Sequence, residues 1–231
     1  MDKSYINSQD YWEARYSSKD WQKKNGCEQT AFFAEEFCRY TAIPSSFDGT
    51  LIDIGCALGD SMPILRGKFP YIKLYGADFS QSAIDYCNKR YYDIADFHIA
   101  NIITFDGYYD IVLLSNVLEH LKGWESIVEN IVEHCTYLCI IVPYKEDIQE
   151  VLSEHCNSFH EGSFDFLLGT SSRRIKKTIY FSRGFYYKGF LKGILWEGLI
   201  KNFFRKALGK KLYNPFHTRE ILFEIVNNSE V

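Results

Sequence analysis

The 231 residues contain no unbroken apolar run near the ~18 residues that a membrane-spanning helix needs, which excludes a transmembrane reading. The opening stretch, MDKSYINSQDYWEARYSS, also lacks an apolar core, so no secretory signal is expected in it. The seven cysteines (27, 38, 56, 87, 135, 139 and 156) are odd in number and include no C-x-x-C pair. A disulfide framework and a zinc ribbon are therefore excluded, and free thiols in a reducing, cytoplasmic setting are expected. Internal repeats, low-complexity tracts and a convincing linker are all missing. So is any Ser-His-Asp or Cys-His arrangement that would mark a nucleophilic enzyme. No metal is expected: His155, Cys156 and His160 are close in sequence, but C-x3-H with one extra histidine and no second cysteine is a weak ligand pattern.

Positive charge is scarce over most of the chain. Residues 1–169 carry 13 Lys and Arg against 26 Asp and Glu, whereas residues 170–231 carry 13 against 4. An acidic body thus precedes a basic tail, which either packs on that body or meets an anionic partner. Hydrophobic residues make up 46% and charged residues 24%, ordinary values for a globular protein, and the length suits one domain. Aromatic residues reach 17%, enough that some are expected to serve contact as well as core.

Short apolar runs at 51–54, 72–77, 97–100, 109–114 and 137–142 alternate with helical stretches near 60–68, 80–91 and 118–134. Their β-branched content and lack of polar alternation predict strands buried on both faces. The pattern implies right-handed crossovers and an α/β fold with helices on both sides of a mostly parallel sheet. Helices are also expected at 8–17, capped by Asn7 or Ser8, and at 30–42, with two more strands at 175–182 and 219–227 around a helical region at 184–208. Between the first strand and its helix lies Leu51-Ile-Asp-Ile-Gly-Cys-Ala-Leu-Gly-Asp-Ser-Met-Pro63, with Asp60 or Ser61 expected as the helix cap and Pro63 in the first turn. Small residues at 55, 57 and 59 allow a ligand close to the backbone at the carboxyl end of the sheet. The spacing is not the G-x-G-x-x-G of a dinucleotide site, and Asp53 would repel a phosphate while suiting a cation.

These residues resemble the class I S-adenosylmethionine-dependent methyltransferases, whose first motif is (D/E)-x-G-x-G-x-G; here it reads Asp53-x-Gly55-x-Ala57-x-Gly59, with alanine for the middle glycine. The likeness continues to about residue 145 and is nearest to the subset acting on small molecules and saccharides. It implies a Rossmann-like seven-stranded sheet and S-adenosyl-L-methionine as cofactor. By the resemblance, Asp53, Gly55, Cys56, Ala57 and Gly59 form the cofactor turn. Asp78 binds the ribose hydroxyls, or only caps the next helix, and Phe79 stacks near the adenine. Asn101 and Ile102 meet the adenine edge, unless Asn101 is an ordinary turn residue. Ser115 and Asn116 fall beside the methionine part. The following Val-Leu-Glu119-His120 resembles the family's fourth motif, with Glu119 and His120 as catalytic candidates or as a structural pair holding the loop. The opening Tyr11-Trp12-Glu13-Ala14-Arg15-Tyr16 resembles a lid in which Trp12 excludes water and Arg15 pairs with the methionine carboxylate; an amphipathic helix packed on the sheet is the alternative. Tyr144, His155 and His160 are expected to line the acceptor cleft.

The chain is expected to form one domain, with lid helices at 1–48, a cofactor core at 49–145 and an acceptor-side and C-terminal region at 146–231. Apolar residues at helical spacing in 185–211, interleaved with Lys188, Lys192, Lys201 and Arg205, either cover the acceptor site or a dimer face, or contact a membrane surface or an anionic, lipid-linked acceptor. Nucleic acid is not expected, since no recognised RNA or DNA module is visible. The functional expectation is methyl transfer to an oxygen of a small molecule or saccharide, as in surface-polysaccharide biosynthesis; a non-catalytic scaffold on the same fold is the alternative.

Overall fold

The computed structural model describes residues 6–146, 154–169, 173–181, 203–204, 206–208 and 219–227. Seven strands form one sheet: β1 (Thr50–Ile54), β2 (Lys73–Asp78), β3 (Asp96–Ile99), β4 (Tyr109–Ser115), β5 (Cys135–Pro143), β6 (Arg174–Phe181) and β7 (Arg219–Val226). Their order is β3-β2-β1-β4-β5-β7-β6. Neighbours among β1–β5 pair in parallel, while β7 runs antiparallel to both β5 and β6. The mostly parallel, Rossmann-like sheet expected from the sequence is therefore present, with all seven strands where the apolar runs lie.

The continuous apolar runs reflect burial on both faces. Ile52, Ile54, Val112, Leu114, Leu138, Ile140 and Val142 point into one cluster, with Ile127, Val128, Ile131 and Val132 of α6 (Trp124–Val132). Leu51, Ile111, Leu113, Cys139 and Ile141 point to the opposite cluster. There they meet α3 (Gly26–Tyr40), α4 (Met62–Lys68) and α5 (Gln81–Arg90) through Phe33, Phe37, Met62, Leu65, Ile84 and Cys87. The period of two is thus present but invisible in hydropathy, because neither face is polar.

Several boundaries differ from the sequence expectation. The stretch 118–134 is not one helix: a 3-10 turn, Leu118–His120, ends at Leu121 in extended conformation, and α6 starts after Gly123, whose φ of +68° belongs to the left-handed region. Helix α3 starts four residues earlier than expected, following a one-turn helix α2 (Asp20–Lys23) that the sequence did not suggest. Of the two candidate caps for α1 (Gln9–Ser17), Ser8 does the work, accepting the Tyr11 N–H. Ser61 occupies the cap position of α4, but its hydroxyl turns away to Asp53. The helical region expected at 184–208 lies outside the described residues except for Phe203, Phe204 and 206–208. Among the described residues no helix is long and apolar enough to cross a membrane.

Candidate active site

The chain leaves β1 at Ile54 and turns sharply. Gly55 has φ +82°, and its N–H and that of Cys56 both donate to the Ala77 carbonyl of β2, at 2.7 and 3.1 Å. A Cβ on Gly55 would lie 2.6 Å from Val117 Cγ2, so the residue is fixed by conformation and by space. Ala57 stands at φ +50°, a left-handed conformation that its small side chain endures. Asp53 is buried, and its Oδ2 accepts the Ser61 hydroxyl at 2.6 Å. Burial pushes its carboxyl up to about 6, against the opposing effect of that bond. The Cys56 and Cys87 thiols are both buried and both donate to the Ala57 carbonyl, and the neighbouring Cys87 together with burial raises the Cys56 pKa well above the ordinary thiol value. Such a thiol is inert.

Asp78 ends β2 beside this turn. Its Oδ2 accepts the Ala57 N–H at 3.1 Å and its Oδ1 the Ser80 N–H at 2.9 Å. Burial pushes it up to about 7; the two N–H groups oppose that, while the charges of Asp53 and Glu13 add to it. An ionised carboxylate has about four acceptor positions, so one per oxygen stays open. Ser80 itself caps α5, accepting the Ala83 N–H, so Asp78 contributes to the start of that helix and retains capacity for a ligand. A small apolar cavity is lined by Ile54, Gly55, Asp78, Phe79, Ala100, Ile102, Val117 and Leu121, at the carboxyl ends of β1, β2 and β4. Ligands of open α/β sheets bind at this edge. Ile102 is buried in its wall, but Asn101 is exposed and its Oδ1 accepts the Ile103 N–H as the cap of a 3-10 turn. A more open groove among Arg66, Lys73, Tyr92 and Asp96 lies at the amino ends of β2 and β3, the wrong edge for such a ligand.

Helix α1 covers the turn. Trp12 and Tyr16 share its buried face, their rings stacked at 6.1 Å, and pack with Ala57, Leu58 and Ala83. Glu13 fastens the helix to α5 by accepting from the Ser80 and Ser82 hydroxyls. Arg15 lies over the Trp12 ring at 5.0 Å, but its charge is already met by Glu154 at 3.0 Å and Asp20 at 3.3 Å. The carboxylate expected from a cofactor is thus supplied by the protein itself.

At the end of β4, Ser115 donates to the Asn116 side chain at 3.5 Å, and Asn116 has φ +54°. The 3-10 turn then buries Glu119 and brings His120 to the rim. Segment 154–157 clamps this turn: Cys156 N donates to Glu119 O at 2.8 Å, and Asn157 Nδ2 bonds the Leu118 and Leu121 carbonyls. His120 stands edge-on to His155, with ring centroids 4.8 Å apart, and edge-on to Trp12 at 5.3 Å. Burial first, then the nearby His155, pull the His120 pKa down to about 4. Burial also depresses His155, but its hydrogen bond to Glu146 and the charges of Glu119, Glu146 and Glu154 outweigh that and raise it. Glu119 is pushed up to about 7 by burial, with His155 opposing. The weak His155, Cys156 and His160 grouping does not assemble. The structure instead gathers Glu119, His120 and His155, with one donor atom from each within 4.8 Å of the others. His160 is exposed and caps its own turn by accepting the Gly162 N–H at 3.0 Å. Tyr144 bonds Glu161 and bridges to Phe159, near the rim but outside the cluster. Sequence reasoning missed Glu146, Glu154 and Glu220, acids whose spacing carries no motif, and Asn7, which ties the His120 and Glu154 carbonyls together.

Residues 52–137 match a family model described as a methyltransferase domain. A curated relative, the tRNA N(3)-methylcytidine methyltransferase trm141 of Schizosaccharomyces pombe, is 31% identical over 114 residues. That match covers 45% of this chain and 46% of the relative, so the chain spans less than half of that protein's length. Among solved structures, the plantazolicin methyltransferase BpumL with a pentazolic analog and SAH (S-adenosylhomocysteine) has a TM-score of 0.64 at 17% identity, covering 98% of this chain and 97% of that one. Coclaurine N-methyltransferase bound to N-methylheliamine and SAH has a TM-score of 0.55 at 15% identity over 85% and 71% of the two chains. Magnesium protoporphyrin IX methyltransferase from Synechocystis with bound SAM has 0.53 at 13% over 87% and 80%. At these identities the likeness to solved structures is one of fold.

Proposed function

We propose, from the match of residues 52–137 to a methyltransferase-domain model and from the class I methyltransferase fold, that the chain transfers the methyl group of S-adenosylmethionine to an oxygen of a small molecule, with saccharides as the acceptor class. The observation that carries the cofactor reading is Asp78. It is a buried acid at the carboxyl end of β2, held by two backbone N–H groups with acceptor capacity left for a pair of ribose hydroxyls. Two buried acids, Asp53 and Asp78, at a turn with no basic side chain on it suit a cationic ligand and would reject a pyrophosphate. When bound, the sulfonium supplies an electrophilic methyl carbon, and the protein's share of the chemistry is alignment and exclusion of water. Trp12 and Tyr16 dry the site from above, the Gly55 turn admits the cofactor close to the backbone, and Ser115 and Asn116 flank its methionine part.

Residues 1–48 act as the lid, 49–145 as the cofactor core and 146–231 as the acceptor side. An acceptor hydroxyl must lose a proton, and the rim offers acids and imidazoles around Glu119, His120 and His155 to receive it. The same acidity disfavours a polyanion at this rim, which weighs against the RNA acceptor that the S. pombe relative suggests. An anionic or lipid-linked acceptor would meet its counter-charge in the basic segment 185–211, of which only 203–204 and 206–208 are among the described residues. The test is transfer of labelled methyl from S-adenosylmethionine to a panel of saccharides, lipid-linked saccharides, small alcohols and amines, and tRNA. Label on hydroxyl acceptors supports the proposal; label on tRNA alone overturns the acceptor class.

A further inference from the structure

The Glu119 side chain is 1% exposed, yet neither carboxylate oxygen has a hydrogen-bond partner. The Asn116 amide lies near enough to favour its charge, but no bond closes. An unbonded buried carboxylate costs the full desolvation of the group, so something absent from the polypeptide is expected to answer it. What faces it is specific. His120 Nε2 lies 3.9 Å from Glu119 Oε1, and a His155 nitrogen completes a group whose donor atoms are all within 4.8 Å of one another. Each imidazole is oriented from behind. His120 Nδ1 meets the Glu154 carbonyl at 3.1 Å, and His155 Nδ1 meets the Glu146 carboxylate at 2.6 Å. With Nδ1–H donating to an oxygen in both rings, each Nε2 keeps a free lone pair, and that of His120 faces Glu119.

An imidazole that donates its far N–H to a carbonyl or carboxylate is the usual arrangement of a metal-bound histidine. We propose that Glu119, His120 and His155 form a binding site for a first-row divalent transition metal ion, held by two imidazole nitrogens and one carboxylate. Two nitrogens and one carboxylate oxygen suit manganese, iron, cobalt, nickel or zinc, and leave coordination positions open. Bonds of about 2.0–2.2 Å set the donors roughly 3–3.5 Å apart, so binding draws the three together by about 1 Å. The Cys156 and Asn157 N–H groups and the Asn157 side chain hold segment 154–157 against the turn at 118–120, so this closing movement falls to the three side chains. Glu220 of β7 adds a second buried carboxylate with an unbonded oxygen, close enough to interact with Glu119 and Glu146, and further enriches the site in negative charge. At the rim of the cleft the ion would take an acceptor oxygen in an open position and lower the pKa of its hydroxyl. That role rests on the methyl-transfer reading, whereas metal binding itself does not.

The experiment is calorimetric titration of the chelator-stripped full chain with Zn²⁺, Mn²⁺ and Co²⁺ in turn, with the Co²⁺ visible spectrum recorded alongside. One ion per chain and a Co²⁺ spectrum of nitrogen and oxygen ligation are expected. Glu119→Gln and His155→Ala should each weaken binding at least tenfold, with circular dichroism checking the fold. Glu146→Gln is the gentler variant, since it touches only the imidazole's support, and should cost about 10–100-fold. His160→Ala, outside the cluster, should leave affinity unchanged. No stoichiometric binding of any of the three ions, or binding indifferent to Glu119→Gln, His155→Ala and Glu146→Gln together, overturns the proposal. Retained S-adenosylmethionine binding in the same preparation would keep the methyl-transfer reading standing apart from that failure.

Discussion

Replacing Gly55 with alanine tests the cofactor turn in its most constrained residue. At φ +82° any other residue pays about 1–2 kcal/mol for the left-handed conformation. The new Cβ would also stand 2.6 Å from Val117 Cγ2, and overpacking of that kind costs about 1–3 kcal/mol. Gly55→Ala should therefore destabilise the fold by about 2–5 kcal/mol and weaken S-adenosylmethionine binding, since Gly55 and Val117 both line the cavity. Val117→Ala removes the clashing methyl groups, and from a half-buried position should cost only about 1 kcal/mol alone. In the double variant the steric part disappears while the conformational part remains, a coupling of about 1–3 kcal/mol. Urea unfolding of the four proteins of this cycle, with calorimetric cofactor binding on each, measures both quantities. Additivity within about 0.5 kcal/mol would refute the contact argument.

Asp78→Ala removes the acceptor for the ribose hydroxyls, and a bond to a charged group is worth about 1.5–3 kcal/mol, so cofactor affinity should fall at least about tenfold; a loss below about threefold in calorimetry would mean that Asp78 serves only the start of α5. The pKa of Asp78, raised to about 7 by burial, makes the folded chain hold a proton that the unfolded chain releases near 4. Its contribution to stability is thus greatest below about pH 4 and falls as pH rises toward 7, while cofactor affinity, which needs the ionised form, should rise by up to roughly tenfold between pH 6 and 8. Asp78→Asn should flatten that rise, and an equally steep rise in the variant would assign it elsewhere. Reversing Lys201, Arg205 and Lys206 to Glu should raise the acceptor KM and spare cofactor affinity, with added salt mimicking the change in the native protein over a screening length of about 8–10 Å. An acceptor KM indifferent to both would leave the tail without an anionic partner.

Much of the fold was legible because buried parallel strands announce themselves as short apolar runs, and the turn at 53–61 because glycine, alanine and the acids are local in sequence. The rim was less legible. Glu119 and His120 adjoin each other, but His155 reaches them only because the Asn157 side chain and the 156–157 N–H groups pin a distant segment onto the 3-10 turn. Glu146, Glu154 and Glu220 arrive from three separate stretches, and no spacing rule connects them. The Arg15 expectation met a competitor that only tertiary structure reveals, since Glu154 lies 139 residues away in the chain. The break between residues 118–120 and α6 comes from an extended Leu121 and a left-handed Gly123, local backbone conformations that a periodicity reading passes over.

The central claim, that this chain is built around S-adenosylmethionine, is tested most directly by calorimetric titration of the full chain with S-adenosylmethionine and S-adenosylhomocysteine. The account predicts one site for each, with Kd values from about the micromolar to the sub-millimolar range common for enzyme substrates. A folded protein that binds neither at about 1 mM would contradict it.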